Sequence, residues 1–265
     1  MSRRLLSGAA LACALSVSPI ADALAHDCCP IVELRQYTMY PGKRDALISL
    51  FEEHFIESQE ATGMRIAATF RDLGDPNRFV WVRGFADMRA RQEALTAFYY
   101  GPVWQEHRNQ ANATLEDNDN VLLLHPAFAG SGFALDGLAR PALGAPAGGR
   151  LVVATIHYLR EDALAGFAAA FRRDMAPLLE RRGARILAQY VSDKSKNTFA
   201  RLPVREKEHV FVSFAVFDDA GAYDRHLKAL AADARWRTLL AAQAAVMERG
   251  PETLLLRPTA RSLVR

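Results

Sequence analysis

The chain repeats itself. Phe79-Val80-Trp81-Val82-Arg83-Gly84-Phe85 returns 132 residues later as Phe211-Val212-Ser213-Phe214-Ala215-Val216-Phe217. The same spacing joins Trp104 to Trp236, Leu122-Leu123-Leu124 to Leu254-Leu255-Leu256, and Pro126 to Pro258. Earlier in each copy the spacing is 120, pairing Ile31 with Leu151 and Gly63 with Gly183, and a polar insertion within Asp193 to Arg205 absorbs the 12-residue difference. Self-similarity of this kind means that one supersecondary unit is built twice. At 265 residues the chain has room for two units, each with its own buried core. Residues 129–149, rich in Gly, Ala and Pro, separate them as a linker does.

Each copy reads β-α-β-β-α-β. Residues 31–39 alternate as a strand does and end at Pro41-Gly42, a turn. Leu47, Ile48, Leu50, Phe51 and Phe55 fall at helical spacing within residues 44–60, and Gly63 closes that helix. Residues 64–73 and 79–85 are expected as strands joined by a turn at Gly74-Asp75-Pro76-Asn77. Residues 88–115 follow as a helical stretch broken near Gly101-Pro102, and 121–125 as the closing strand. This order is the ferredoxin-like unit, a four-stranded antiparallel sheet with helices on one face. The bare face of one sheet needs a cover, which the second copy supplies. The expected fold class is therefore α+β: two ferredoxin-like modules, residues 26–128 and 150–258, facing each other as an intramolecular barrel, with a tail at 259–265.

The N-terminus carries a different kind of signal. A basic Met1 to Arg4, an apolar Leu5 to Ile20 and the small-x-small Ala23-Leu24-Ala25 predict a signal peptide over residues 1–25, and hence a periplasmic or secreted protein. Ser7, Ser16, Ser18 and Pro19 leave the run too polar and too short for about 30 Å of hydrocarbon, so no membrane association is expected after cleavage. Arg3-Arg4 leaves both the general and the twin-arginine export routes open. The mature chain would begin His26-Asp27-Cys28-Cys29. Adjacent cysteines in an oxidising compartment can close a vicinal disulfide, pair with another chain or stay as thiols. With His26 they also offer the ligand types of a soft metal such as Cu(I) or Zn(II), although a free terminus makes a poor cage.

A net charge of only +3, with basic residues scattered rather than striped, gives no nucleic-acid footprint. The chain has no glycine-rich phosphate loop, HExxH, paired CxxC or nucleophile elbow, so nucleotide, zinc-protease and serine-hydrolase chemistry have no support and no cofactor is expected.

Residues 31–126 resemble the NIPSNAP family of dimeric α/β barrels. The resemblance rests on Glu33-Leu34-Arg35 with Tyr37, Pro41-Gly42, Gly63-Met64, Asp75-Pro76-Asn77 before Phe79-Val80-Trp81, Arg89 with Arg91, Trp104, and Asp119-Asn120. The second copy keeps the pattern of elements but few of these residues. The resemblance implies a fold and a cavity rather than a reaction, because related barrels host both cofactor-independent and haem-dependent enzymes.

The diverged copy acts as an internal control, since it meets the same packing demands. Glu33 becomes Val153, Arg35 becomes Thr155, Tyr37 becomes His157, Arg71 becomes Val191, Trp81 becomes Ser213 and Arg83 becomes Ala215. On the second helix His107, Arg108 and Asn112 become Leu239, Leu240 and Ala244. Buried charge is costly unless paired, so a polar set that the scaffold can omit points either to a site or to a compensating ion-pair network. Strand alternation puts Glu33, Arg35 and Tyr37 on one face and Val32 and Leu34 on the other; we expect the aliphatic face to meet the helices and the polar face to line the barrel. Trp104, shared with Trp236, reads as packing, and Tyr99-Tyr100-Gly101-Pro102 as a pocket rim or a dimer contact.

The expectation is a small, acidic or carbonyl-bearing ligand held by Glu33, Arg35, Tyr37, Arg71, Trp81, Arg83, Arg108 and Asn112, with His107 as a proton donor or acceptor and the question of enzyme or binder left open. The competing reading makes the same residues an ion-pair network at an oligomer interface, without chemistry, in a possible homodimer.

Overall fold

The structure is a computed structural model that describes residues 28–265. The expected signal segment and His26 lie outside the described residues. The first half runs β1 (Ile31–Met39), α1 (Arg44–Leu50), a π-helical turn (Phe51–Phe55), α2 (Ile56–Glu60), β2 (Arg65–Asp72), β3 (Arg78–Phe85), α3 (Met88–Tyr99), α4 (Pro102–Asn112), β4 (Leu115–Asp117) and β5 (Val121–Pro126). The second half runs β6 (Leu151–Leu159), a 3-10 turn, α5 (Leu164–Ala170), a second π-helical turn (Phe171–Met175), α6 (Ala176–Arg181), β7 (Arg185–Ser192), β8 (Val210–Phe217), α7 (Ala220–Ala231), α8 (Ala234–Ala244) and β9 (Met247–Pro258).

Local chemistry accounts for the element boundaries. Gly42, Gly63 and Gly183 sit at positive φ, where a side chain would be strained. Asp87 caps α3 by accepting from Ala90 N, and Asp219 caps α7 by accepting from Ala222 N. Pro102 opens α4 directly after Gly101, which splits the helical stretch where the sequence placed the break. Short β4, pairing with the end of β1, has no clear sequence pattern and was not expected.

Eight antiparallel strands close a barrel in the order β3-β2-β9-β6-β8-β7-β5-β1, with β1 returning to β3. The seams between halves are β5 with β7 and β9 with β2. The register repeats between the halves: Glu33 faces Arg83 and Arg35 faces Trp81, as Val153 faces Ala215 and Thr155 faces Ser213.

The alternation of β1 is as expected, but its two faces are exchanged. Val32, Leu34, Val80, Val82, Leu122 and Leu124 meet Val152, Ala154, Ile156, Val212, Phe214 and Leu256 in one cluster inside the barrel. Tyr37, Met39, Phe51, Phe55, Phe79 and Trp81 form a second cluster between sheet and helices. An eight-stranded barrel is only wide enough for side chains to fill it. The aliphatic faces therefore meet there, and the long aromatic and charged side chains take the deeper layer beneath the helices.

Residues 129–149 and 259–265 are built into the core. Phe133 and Leu135 from the first segment, and Leu263 and Val264 from the second, are buried with the barrel interior. Arg140 donates to Glu60, to Ile66 O and to Arg261 O. Cys28 and Cys29 are joined to each other as a vicinal disulfide, so they are not thiolate ligands for a metal. Among the described residues no group of three or more His, Cys, Asp or Glu could hold a metal ion.

Candidate functional site

Glu33, on β1, is the centre of the polar layer. One carboxylate oxygen, Oε2, accepts from Arg35 Nη1 at 2.7 Å and from Arg83 Nε at 2.7 Å. The other, Oε1, accepts from Arg91 Nε at 2.7 Å. All four side chains are fully buried. Burial pushes the Glu33 carboxyl up, but Arg83, Arg35 and Arg91 outweigh it and hold the group well below the usual carboxylate range. Burial disfavours the Arg35 cation, and the neighbouring Tyr37 and Glu33 more than restore it.

Three cations around one anion leave positive charge to be answered by dipoles. Arg83 Nη1 donates to Gln59 Oε1 at 3.0 Å, Arg35 Nε to Tyr37 Oη at 2.9 Å, and Arg91 Nη1 to Asn197 Oδ1 at 3.1 Å. Burial pushes the Tyr37 phenol up to about 12, against the opposing pull of Arg35. Tyr37 is therefore a neutral phenol near neutral pH, and with its oxygen engaged by Arg35 it keeps a hydrogen to donate.

Beside this cluster lies a cavity of about 170 Å³ between the outer face of the sheet and the helices. Tyr37, Trp81 and Tyr99 form its polar-edged aromatic walls, Phe55 and Trp104 its apolar side, and Asn112 a hydrogen-bonding edge. Tyr37 meets Trp81 edge-on at 5.6 Å, and Tyr99 meets Trp104 edge-on at 4.8 Å. Arg35 lies over the rings of Tyr37 and Trp81 at 5.2 and 5.5 Å. The indole Nε1 of Trp81, that of Trp104, and Nη2 of Arg35 are buried with no hydrogen-bond partner. All three unspent groups are donors.

The mouth of this cavity is covered by the other half of the chain. The insertion Asp193 to Arg205 is anchored at both ends on β5, through Asp193 N to Leu123 O and Arg205 N to Val121 O, each 2.9 Å. Between the anchors, Phe199 and Leu202 pack into the first half's helix–sheet core. Arg201 lies over Tyr99 and Tyr100 at 5.8 and 5.5 Å and lines the cavity with Leu202. Asn197 and Thr198 fasten the strap to Arg91.

The structure thus brings together Glu33, Arg35, Tyr37, Trp81, Arg83 and Asn112, and separates the other three residues expected at the site. Arg71 turns to the surface and pairs with Asp45 at 2.8 Å. Arg108 is exposed on α4. His107 stacks on His54 at 3.9 Å between ring centroids and does not line the cavity. A helix turns successive residues by about 100°, so His107 stands about 140° round α4 from Asn112 and meets His54, while Arg108, one turn before Asn112, is exposed and does not line the cavity. The third arginine of the cluster is Arg91, and its neutral supporter is Gln59. The alignment of the two halves carried the signal for both, since Tyr223 and Leu179 take their places in the second half. Trp104 packs as expected and also lines the cavity. No sequence signal identified the strap beyond two apolar residues, Phe199 and Leu202, in a polar insertion.

The second half has a cavity in the corresponding layer, of about 220 Å³, lined among others by Val153, Thr155, His157, Ser213 and Ala215.

The NIPSNAP family model matches residues 32–129. A "putative monooxygenase" from Lactobacillus acidophilus NCFM is similar over 88% of this chain and 97% of its own, at 14% identity and a TM-score of 0.53. An anthrone oxidase-like protein is similar over 89% of this chain and 94% of its own, at 13% identity and a TM-score of 0.58. A NIPSNAP family protein from Agrobacterium tumefaciens C58 aligns with 44% of this chain and 99% of its own, at 16% identity and a TM-score of 0.36. At these identities the structural likeness is one of fold. No functionally curated protein matches the chain.

Proposed function

Because residues 32–129 belong to the NIPSNAP family, in which fold and cavity are shared more widely than chemistry, we propose that this chain binds a small acidic or carbonyl-bearing molecule in the cavity of its first half. The observation that carries the reading is the one-sidedness of the unspent polar groups. Tyr37 keeps a hydrogen to give, and the indole donors of Trp81 and Trp104, which line the cavity with it, have no acceptor; Arg35, with Nη2 unpartnered, lies behind Tyr37 and Trp81. A ligand that accepts hydrogen bonds satisfies them, and an anion also answers the surplus positive charge. A dry cavity of about 150 Å³ holds benzene, so this one takes a single ring with a small substituent.

The competing interface reading loses its footing, because the ion-pair network is fully buried within one chain. The enzymatic form of the proposal uses the same donors to stabilise negative charge developing on a bound carbonyl or phenol oxygen, and the activity named for the Lactobacillus acidophilus neighbour makes oxygen the co-reactant to try. We further read the two halves as one duplicated ferredoxin-like module, and the chain as exported by way of its N-terminal segment; N-terminal sequencing of periplasmic material should then begin at His26.

Titration calorimetry with benzoate and benzyl alcohol tests the central reading. Benzoate should bind at least tenfold tighter, and Tyr37→Phe should narrow the gap while leaving the circular dichroism unchanged. Equal affinity for the two compounds would sink the proposal.

A further inference from the structure

The second half's cavity occupies the layer in which the first half holds its arginines, but the chemistry of its walls is opposite. We propose that it is a second ligand site, selective for an uncharged, largely apolar single-ring molecule carrying one hydroxyl or carbonyl group. The inference stands independently of the ligand assigned to the first half.

Three observations carry it. The first is volume: where the first half places Trp81, Arg83 and Arg35, the second places Ser213, Ala215 and Thr155, and the space so released remains open at about 220 Å³. Phe171, Met175 and Trp236 still line it and hold helices and sheet apart. An empty apolar cavity forfeits packing contacts, so an occupant of matching shape stabilises this arrangement. The second is charge: none of the residues lining it is an Asp, Glu, Lys or Arg. An ion entering it would lose its hydration without a counter-charge.

The third is His157. It takes Tyr37's place on the strand, lines the cavity and is buried to 6% exposure. Its ring sits among Phe167, Phe171 and Phe211, at 4.9, 6.2 and 6.1 Å between centroids. Its Nδ1 is enclosed with no hydrogen-bond partner. Burial also pushes the imidazole down to about 4, so near neutral pH it contributes a hydrogen-bonding group and no charge. A buried polar side chain facing a cavity with its capacity unspent is what a single hydroxyl or carbonyl on a ligand would satisfy, whichever tautomer the ring adopts. Thr155 and Ser213 add hydroxyls on the same wall.

The test uses the full chain and three probes of nearly one shape: p-cresol, toluene and 4-methylbenzoate, followed by ligand-detected NMR and calorimetry. At the second site p-cresol should bind about fivefold tighter than toluene, the factor that one neutral hydrogen bond supplies, and at least tenfold tighter than 4-methylbenzoate. In His157→Phe the preference for p-cresol over toluene should vanish while toluene still binds. Ser213→Trp, which restores the first half's ring, should abolish p-cresol binding; if that variant fails to fold, Ala215→Leu is the smaller filler and should do the same. The proposal is overturned if p-cresol shows no saturable binding, if its binding survives a folded filling variant, or if excess benzoate displaces it and so places it in the first cavity.

Discussion

Glu33 is one carboxylate serving three buried arginines, and its removal tests what the cluster is for. Glu33→Ala leaves three uncompensated cations in the layer and should cost about 3–5 kcal/mol in chemical denaturation. Exchanging Glu33, Arg35, Arg83 and Arg91 together for Val, Thr, Ala and Tyr, the residues of the second half, should recover most of that loss, since paired charges replaced as a set are often near neutral. Arg71→Val, by contrast, removes only a surface pair and should change stability by less than about 0.5 kcal/mol. His157 gives a pH signature of the opposite sign from a salt-bridged histidine. Its native form stays neutral until pH falls to about 4, while the unfolded chain takes up a proton near 6.5. Its contribution is complete above pH 6.5 and is lost as pH falls towards 4, amounting to roughly 3 kcal/mol. Thermal melts of His157→Phe should be flatter than wild type across that window. At this scale the differences in polarity between the two halves marked Glu33, Arg35, Arg83 and Asn112, but they marked Arg71 and Arg108 equally, and the structure puts those two at the surface. It misled where a residue type alone carried the inference: His107 was singled out because it is a histidine, yet its place on α4 sets it against His54 rather than in the cavity.

The elements were legible because their signals are local. Proline at 102, the alternation of residues 31–39 and the glycines at 42 and 63 act within a few positions, and the structure has helices and strands where they direct. Which face of β1 turns inward was not local, since both faces are buried and only the closing of the barrel decides between them. The strap was illegible for the same reason: the contacts that hold it over the cavity are with the first half. Shortening residues 194–204 to a tight turn, like the one joining β2 and β3, should leave the barrel folded and raise the benzoate dissociation rate by about tenfold or more, read by stopped-flow fluorescence of Trp81 and Trp104. Gly84 is a second long-range constraint. A Cβ there would overlap Cys29 Sγ and Cβ, whereas Val216 fills the matching position in the second half. Gly84→Ala should cost about 1–3 kcal/mol, and reducing the disulfide first should relieve part of the loss.

For the whole molecule, the segments that sequence assigns to linker and tail are structural parts of the barrel. Thr259 shares a hydrogen bond with Thr69 at 2.6 Å, Ser262 Oγ accepts from Thr69 N, and Leu263 and Val264 are buried with the interior. Ending the chain after Pro258 should therefore lower stability by about 3–5 kcal/mol, the burial of two aliphatic side chains and their hydrogen-bonded approach. The seam between β2 and β9 has a consequence in time as well as in space. A ribosome delivers β2 long before β9; β5 gains its partner when β7 emerges, but until β9 arrives the β2 edge is unpaired and open to any strand that meets it. The cylinder is completed only when β9 reaches β2, so a chain cut short before β9 is one whose nascent sheet must look for its missing neighbour in another molecule.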